Sequence, residues 1–325
     1  MRAAFFRALL DVAEQDQRVW LATADLGFGV VEPFASRFPD RFLNVGVAEQ
    51  NLTGIAAGVA LSGKIVFTYS IANFPTLRCL EQIRNDVCYH KANVKIVAIG
   101  GGFSYGALGM THHATEDLAI LRALPEMTVV APGDPVETEA ATQAVAACPG
   151  PCYLRLGRAG EPVVHQSKFD FEIGKAIALQ DGDDITIIST GGMLATAREA
   201  AEALDARGIS ARLLSMHTLK PLDTDAVLRA ARETRAIITL EEHSVIGGLG
   251  SAVAEVLAES AEEKIAFKRL GVTSAFSSVI GSQEFLREHH GLSVRGVLRA
   301  AEELLRATEG QRGARAELAS RAGVR

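Results

Sequence analysis

An α/β architecture in two doubly wound domains, each a three-layer α/β/α sandwich, is the fold class this sequence predicts, on three observations. Short apolar runs rich in Val, Ile and Phe alternate with longer segments of helical periodicity from residue 19 onward. Such alternation marks a parallel sheet covered by helices on both faces. The pattern weakens over residues 157–182, where Gly160-Glu161-Pro162, His165-Gln166-Ser167 and Asp181-Gly182-Asp183-Asp184 carry turn residues, and then resumes. Finally, 325 residues with 48% hydrophobic content are enough for two buried cores. The expected division is a first domain over 1–160, a linker over 161–183, a second domain over 184–308 and a frayed, flexible tail over 309–325.

The elements follow in order. Phe5, Leu9, Val12 and Ala13 fall on one helical face, and Arg7, Asp11 and Glu14 make the start a poor signal peptide. Strands are expected at 19–23, 42–45, 65–69, 94–99 and 128–131, with helices at 76–90, 115–124 and, headed by Asp134, 134–147. The second series has strands at 185–189, 211–215, 236–240 and 266–272, and helices at 193–204, 223–232 and 294–306. Another helix follows Gly247-Gly248-Leu249-Gly250 and aligns Leu249, Val253, Val256 and Leu257 for packing on a sheet. That glycine segment is not a dinucleotide fingerprint, because Val253 stands where the third glycine belongs. It reads as a tight strand-to-helix turn at a subunit contact.

A net charge of -6 argues against nucleic acid or an anionic membrane surface as partner, so any anion site must be built from a few arginines. No apolar run approaches the roughly 18 residues needed to span a bilayer. Cys79, Cys88, Cys148 and Cys152 form no CxxC pair and no zinc spacing, which fits free thiols in a reducing cytoplasm.

Four segments sit where chemistry gathers in such folds, at the carboxyl ends of strands. Glu49 opens an Ala/Gly-rich helix in which Gly54, Ala56, Ala57, Gly58 and Ala60 let other backbone pack closely. A carboxylate so placed finds a specific partner or takes up a proton; the alternative is an exposed first-turn Glu favoured by the helix dipole. Phe74 precedes a helix and reads equally as a hydrophobic staple. The glycine-rich stretch 100–109 leads into His112-His113, and its glycines allow close approach to a ligand. The tandem histidines suit caps or metal ligands, yet no Cys, His or Asp lies at a metal-like spacing, and no metal site is expected in this chain. Arg158 follows a strand, either as a salt-bridge residue or as a fork aimed at an oxyanion.

Together, Gly46-Val47-Ala48-Glu49-Gln50-Asn51, Glu81-Gln82-Ile83-Arg84-Asn85 and Gly109-Met110-Thr111-His112-His113-Ala114-Thr115-Glu116-Asp117-Leu118 resemble the transketolase-type thiamine-diphosphate enzymes. The resemblance runs through about Arg306. It is to the carboxyl-terminal half alone, because the Gly-Asp-Gly segment that holds metal and diphosphate in the family occurs nowhere in the chain. It implies one subunit of a split transketolase, carrying the pyrimidine-binding and carboxyl-terminal domains. The partner would be the amino-terminal-half subunit, which supplies the ligands of Mg2+ or Ca2+, and two pairs would form an α2β2 assembly.

The resemblance also implies roles. Glu49 hydrogen-bonds a ring nitrogen of the cofactor's aminopyrimidine and so favours its imino form, which takes the proton from the thiazolium carbon. Phe74 stacks on the pyrimidine, worth ~1 kcal/mol beyond burial, and Tyr69 and Arg78 join the cofactor site. His112 contacts substrate hydroxyls and assists proton movements. Arg158 and Arg2 grip the anionic end of the sugar substrate. The second domain, with matching segments at 215–223 and 241–250, serves assembly and shapes the rim of the site.

Two positions depart from the family pattern. Leu108 stands where an Asp normally bonds a substrate hydroxyl, a change worth about 1–3 kcal/mol in discrimination. After Ala24-Asp25-Leu26 the usual phosphate-binding serine is absent, and backbone amides around Gly29 are the available substitute. Substrates with a modified or sulfonate-bearing tail are thereby admitted. The competing readings are the beta subunit of a 2-oxoacid dehydrogenase and a non-catalytic scaffolding half.

Overall fold

The computed structural model describes residues 1–261 and 265–322, with side chains through 308. Strands β1 (Val19–Thr23), β2 (Phe42–Asn44), β3 (Ile65–Ile71), β4 (Val94–Ile99), β5 (Thr128–Val130) and β6 (Cys152–Leu156) belong to the first sheet. They are followed by β7 (Ile177–Gln180), β8 (Ile185–Ser189), β9 (Ala211–Ser215), β10 (Thr218–Lys220), β11 (Ala236–Ser244) and β12 (Ala266–Val272). The first sheet runs β10-β5-β6-β4-β3-β1-β2 and the second β12-β11-β8-β9-β7. All pairings are parallel except those of β10 with β5 and of β7 with β9.

Side chains alternate across β3 and so divide the first core in two. Phe67 and Tyr69 join Phe5, Leu9 and Ala13 of the helix Arg2–Gln15 on one face. Val66 joins Leu52, Ala56 and Ala57 of the helix Glu49–Leu61 on the other. Burying each such leucine stabilises the fold by about 2 kcal/mol. No helix among the described residues is long and apolar enough to cross a membrane.

The structure redraws four expected boundaries. The linker expected over 161–183 contains β7, which completes the second sheet. Strand β10 leaves the second domain and pairs with β5 at the edge of the first sheet. Its Lys220 ammonium donates to the carbonyls of Arg122 and Leu124, at the end of the helix Asp117–Ala123. The last helix, expected to stop at 306 before a flexible tail, runs Val294–Ala322, and residues 323–325 lie outside the described part. The helix expected at 76–90 begins only at Leu80 and is π-helical over Ile83–Cys88.

A buried network joins the domains. Arg155 donates through Nε to Asp117 Oδ2 (2.8 Å) and through Nη2 to the carbonyls of Ala114 (2.6 Å) and Glu242 (3.1 Å). Tyr153 Oη also donates to Asp117 Oδ2, at 2.5 Å. Burial alone would push the Asp117 carboxyl up, but Arg155 holds it below the usual range.

Candidate active site

The site begins at the turn after β2. Asn44 Oδ1 accepts from the amides of Asp25 and Gly46, and Gly46 adopts φ +72°, the left-handed conformation glycine tolerates. The chain then enters the helix Glu49–Leu61. Glu49, Leu52, Thr53 and Ala56 share its inner face, so Glu49 is only 3% exposed. Gly54 and Gly58 lie on the opposite, exposed face with open space around them. They do not bring backbone close to Glu49, contrary to expectation; helical periodicity places the carboxylate inside instead.

Arg78 is tied to that first turn twice. Its Nη1 donates to Glu49 Oε2 at 2.9 Å, and its carbonyl accepts from Gln50 Nε2 at 3.1 Å. The guanidinium also lies 5.2 Å from the centre of the Phe74 ring. The Phe74 ring meets that of His112 edge-on, 5.4 Å between centres at 70°. Thus Glu49, Arg78, Phe74 and His112 form one chain of contacts. It borders a cleft of about 540 Å³ whose walls include Phe74, Arg78, Met110, Thr111 and Phe276.

Asn73 fixes the histidine, a role the sequence did not reveal. Its Nδ2 donates to the carbonyls of Thr111 (3.2 Å) and His113 (2.6 Å), on either side of His112. The two histidines diverge. His112 is half-buried, with Nδ1 3.0 Å from Thr111 Oγ1. His113 is buried, donates from Nε2 to the Gly106 carbonyl (3.1 Å) and packs edge-on against Phe103. The loop glycines serve domain packing rather than ligand approach. A Cβ on Gly101 would lie 2.6 Å from Arg155 Nε, and one on Gly102 2.5 Å from Glu242 Cγ.

A second cluster forms around Tyr105, which the sequence reading also missed. The Arg158 guanidinium lies 5.0 Å from the Tyr105 ring centre. Burial raises the Tyr105 hydroxyl, while the charges of Arg158 and Arg2 pull it down, so both arginines lie within electrostatic reach of it. Arg158 is exposed and Arg2 half-buried, leaving positive charge open to solvent.

Three expected site residues stand elsewhere. Tyr69 points away from Glu49 into the core, 5.0 Å from Phe6 and stacked 6.1 Å from Phe5, because alternation along β3 sends it to the opposite face of the sheet. The Gly29 amide donates to Glu32 Oε1 at 2.9 Å, so it is taken by a carboxylate rather than offered to an anion. Leu108 is 57% exposed on the loop and does not line the cleft. Among the described residues, no three His, Cys, Asp or Glu side chains are grouped to hold a metal ion.

Comparison with known proteins gives the family. Residues 1–161 match the transketolase pyrimidine-binding domain and residues 174–297 the transketolase C-terminal domain. The chain is 40% identical to one of the subunits of apulose-4-phosphate transketolase from Phocaeicola vulgatus, over 94% of this chain and 97% of that one. It is 41% identical to a 6-deoxy-6-sulfo-D-fructose transketolase subunit of a Clostridium species, over 94% of each. A solved split-gene transketolase, an inactive beta4 tetramer, superposes with a TM-score of 0.85 at 44% identity, over 94% of this chain and 97% of that one. Both domains follow in family order and these relatives are matched over nearly their whole length: the chain belongs to the transketolase family.

Proposed function

We propose that this chain is the cofactor-activating subunit of a split transketolase, transferring a two-carbon ketol unit from an anionic ketose to an aldose. Thiamine diphosphate binds between this chain and an amino-terminal-half partner, which holds Mg2+ or Ca2+, in an α2β2 assembly in the cytoplasm. The cofactor supplies the carbanion chemistry; this chain holds and tunes it.

One observation carries the reading. Glu49 is buried, yet no hydrogen bond reaches its Oε1 among the described residues, and Arg78 links it to the half-buried ring of Phe74. A carboxyl oxygen with spare capacity, linked in this way to an aromatic face, fits a flat heterocycle with a protonated ring nitrogen. Glu49 accepts at that nitrogen and steers the proton balance of the ring. Phe74 sets the plane of the ring. His112, steadied by Asn73, holds or moves a proton at the substrate hydroxyls. Arg158, backed by Tyr105 and Arg2, receives the anionic tail. Relatives named for a sugar phosphate and for a sulfo-sugar support a tail that is either phosphate or sulfonate.

The test is reconstitution. The chain mixed with its partner, thiamine diphosphate and Mg2+ converts a ketose phosphate and an aldose, and neither chain does so alone. Turnover by this chain alone overturns the split reading. Carbon dioxide release from 2-oxoacids marks the 2-oxoacid dehydrogenase reading instead.

A further inference from the structure

At the opposite end of the first sheet, Cys148, Cys152 and Lys95 meet where neither the cofactor nor the substrate reaches. Cys148 closes the helix Pro135–Ala147, Cys152 opens β6, and Pro149-Gly150-Pro151 folds the chain back between them, with Gly150 at φ +78°. Lys95 pairs in register with Cys152 across β4 and β6. It is fully buried, and its Nζ reaches the carbonyls of Cys148 (2.5 Å) and Gly150 (2.7 Å) and Cys152 Sγ (3.4 Å). Lys95 makes no ion pair with a carboxylate among the described residues. A buried ammonium without a counter-ion is costly, and a thiolate is the one anion this pocket can provide.

We propose that Cys148 and Cys152 form a reversible oxidation site for hydroperoxides, with Lys95 as its fixed cation. Cys148 is the sulfur attacked first: it is half-buried, and its neighbours Ala147 and Pro149 line an open surface hollow, whereas Cys152 is sealed. The neighbouring Cys152 side chain, and after it the Lys95 charge, pulls the Cys148 thiol down to about 6 against the effect of burial; Cys148 Sγ itself lies 3.7 Å from the Pro149 carbonyl. The Cys148 thiolate attacks the distal oxygen of the hydroperoxide. The O–O bond breaks, the alkoxide takes a proton and leaves as the alcohol, and Cys148 becomes a sulfenic acid. Cys152 then attacks that sulfur, the S–O bond breaks, and the departing hydroxide takes the Cys152 proton to give water and a disulfide. Cys79 and Cys88 are internal controls, because burial raises both.

The full chain, treated with tert-butyl hydroperoxide and mapped by mass spectrometry, is expected to show a Cys148–Cys152 link that dithiothreitol removes, with Cys79 and Cys88 still free. In Cys152→Ser, dimedone labels Cys148. Lys95→Met slows alkylation of Cys148 at pH 7 by about tenfold. Should that variant fail to fold, the pH profile of Cys148 alkylation in the native chain decides: a midpoint below 7 supports the site, and an ordinary thiol midpoint near ~8.5 overturns it. Equal alkylation of Cys148 and Cys79, or oxidation without the link, also overturns it.

Discussion

Arg78 Nη1 stands 2.9 Å from Glu49 Oε2 while its guanidinium covers the Phe74 ring at 5.2 Å, so one cation occupies the ground a stacked heterocycle would need. Arg78 is half-exposed, and an exposed partner leaves such a pair only about 0–1 kcal/mol. The arginine is therefore expected to swing aside at little cost when the cofactor enters. Arg78→Met should change the dissociation constant for thiamine diphosphate by no more than about fivefold, measured by calorimetry on the reconstituted complex. Glu49→Gln should lower kcat by about 100-fold or more, because the carboxyl acts in the proton transfer itself. Unchanged turnover in Glu49→Gln would instead favour the scaffolding reading.

Asn73 holds the two carbonyls flanking His112, and each hydrogen bond contributes roughly 1 kcal/mol. Asn73→Ala should reduce kcat about tenfold while leaving cofactor affinity nearly unchanged. In a His112→Asn background it should have no further effect, because the two act as one unit. Additive losses would show that Asn73 works through something other than His112.

Arg158 over Tyr105 is expected to read the anionic end of the sugar. A charged hydrogen bond of about 1.5–3 kcal/mol corresponds to a rise in KM of roughly 10- to 100-fold for Arg158→Ala. A truncated, uncharged sugar should respond equally to the parent and the variant. If both substrates suffer alike, Arg158 is structural.

Breaking the buried pair between Arg155 and Asp117 should be costly, because either change strands a charge in the interior. Arg155→Met is expected to destabilise the chain by about 3–5 kcal/mol in urea unfolding. Since Arg155 also holds the Ala114 carbonyl, the loop carrying His112 should loosen with it.

Glu241 gives a signed pH dependence. Its carboxyl accepts from the Leu249 and Gly250 amides (2.7 and 2.8 Å), and burial pushes it up to about 7. The unfolded chain releases this proton near ~4.5. Between those values the folded state binds more protons, so this group's contribution to stability falls as pH rises. His243, lowered to about 4 by burial, slopes the opposite way up to its ordinary value near ~6.5. The stability of the parent relative to Glu241→Gln should therefore decline from pH ~4.5 to ~7. A flat difference across that window would place the Glu241 titration elsewhere.

Much of this was legible in the sequence because strands of a parallel sheet are buried on both faces and read as unbroken apolar runs. That is how β3, β4, β8 and β11 announced themselves. Strands β7 and β10 did not: they are antiparallel edge pieces of four and three residues, and their pairing partners rather than their composition make them strands. At the site, Glu49, Phe74 and His112 stood out by motif. Asn73 and Tyr105 did not, because each acts through residues brought close only by the fold. Tyr69, Gly54 and Gly58 were misplaced for the same reason: proximity along the chain says little about which face a side chain occupies.

The short strand Thr218–Lys220, sewn into the sheet of the other lobe, has a consequence for how the molecule comes apart. Cut between the lobes, the amino-terminal fragment would present Thr128–Val130 as a bare ribbon of amides and carbonyls, open to pairing with its neighbours. The two lobes are thus not detachable modules but a single melting unit, and calorimetry on the intact chain should record one transition.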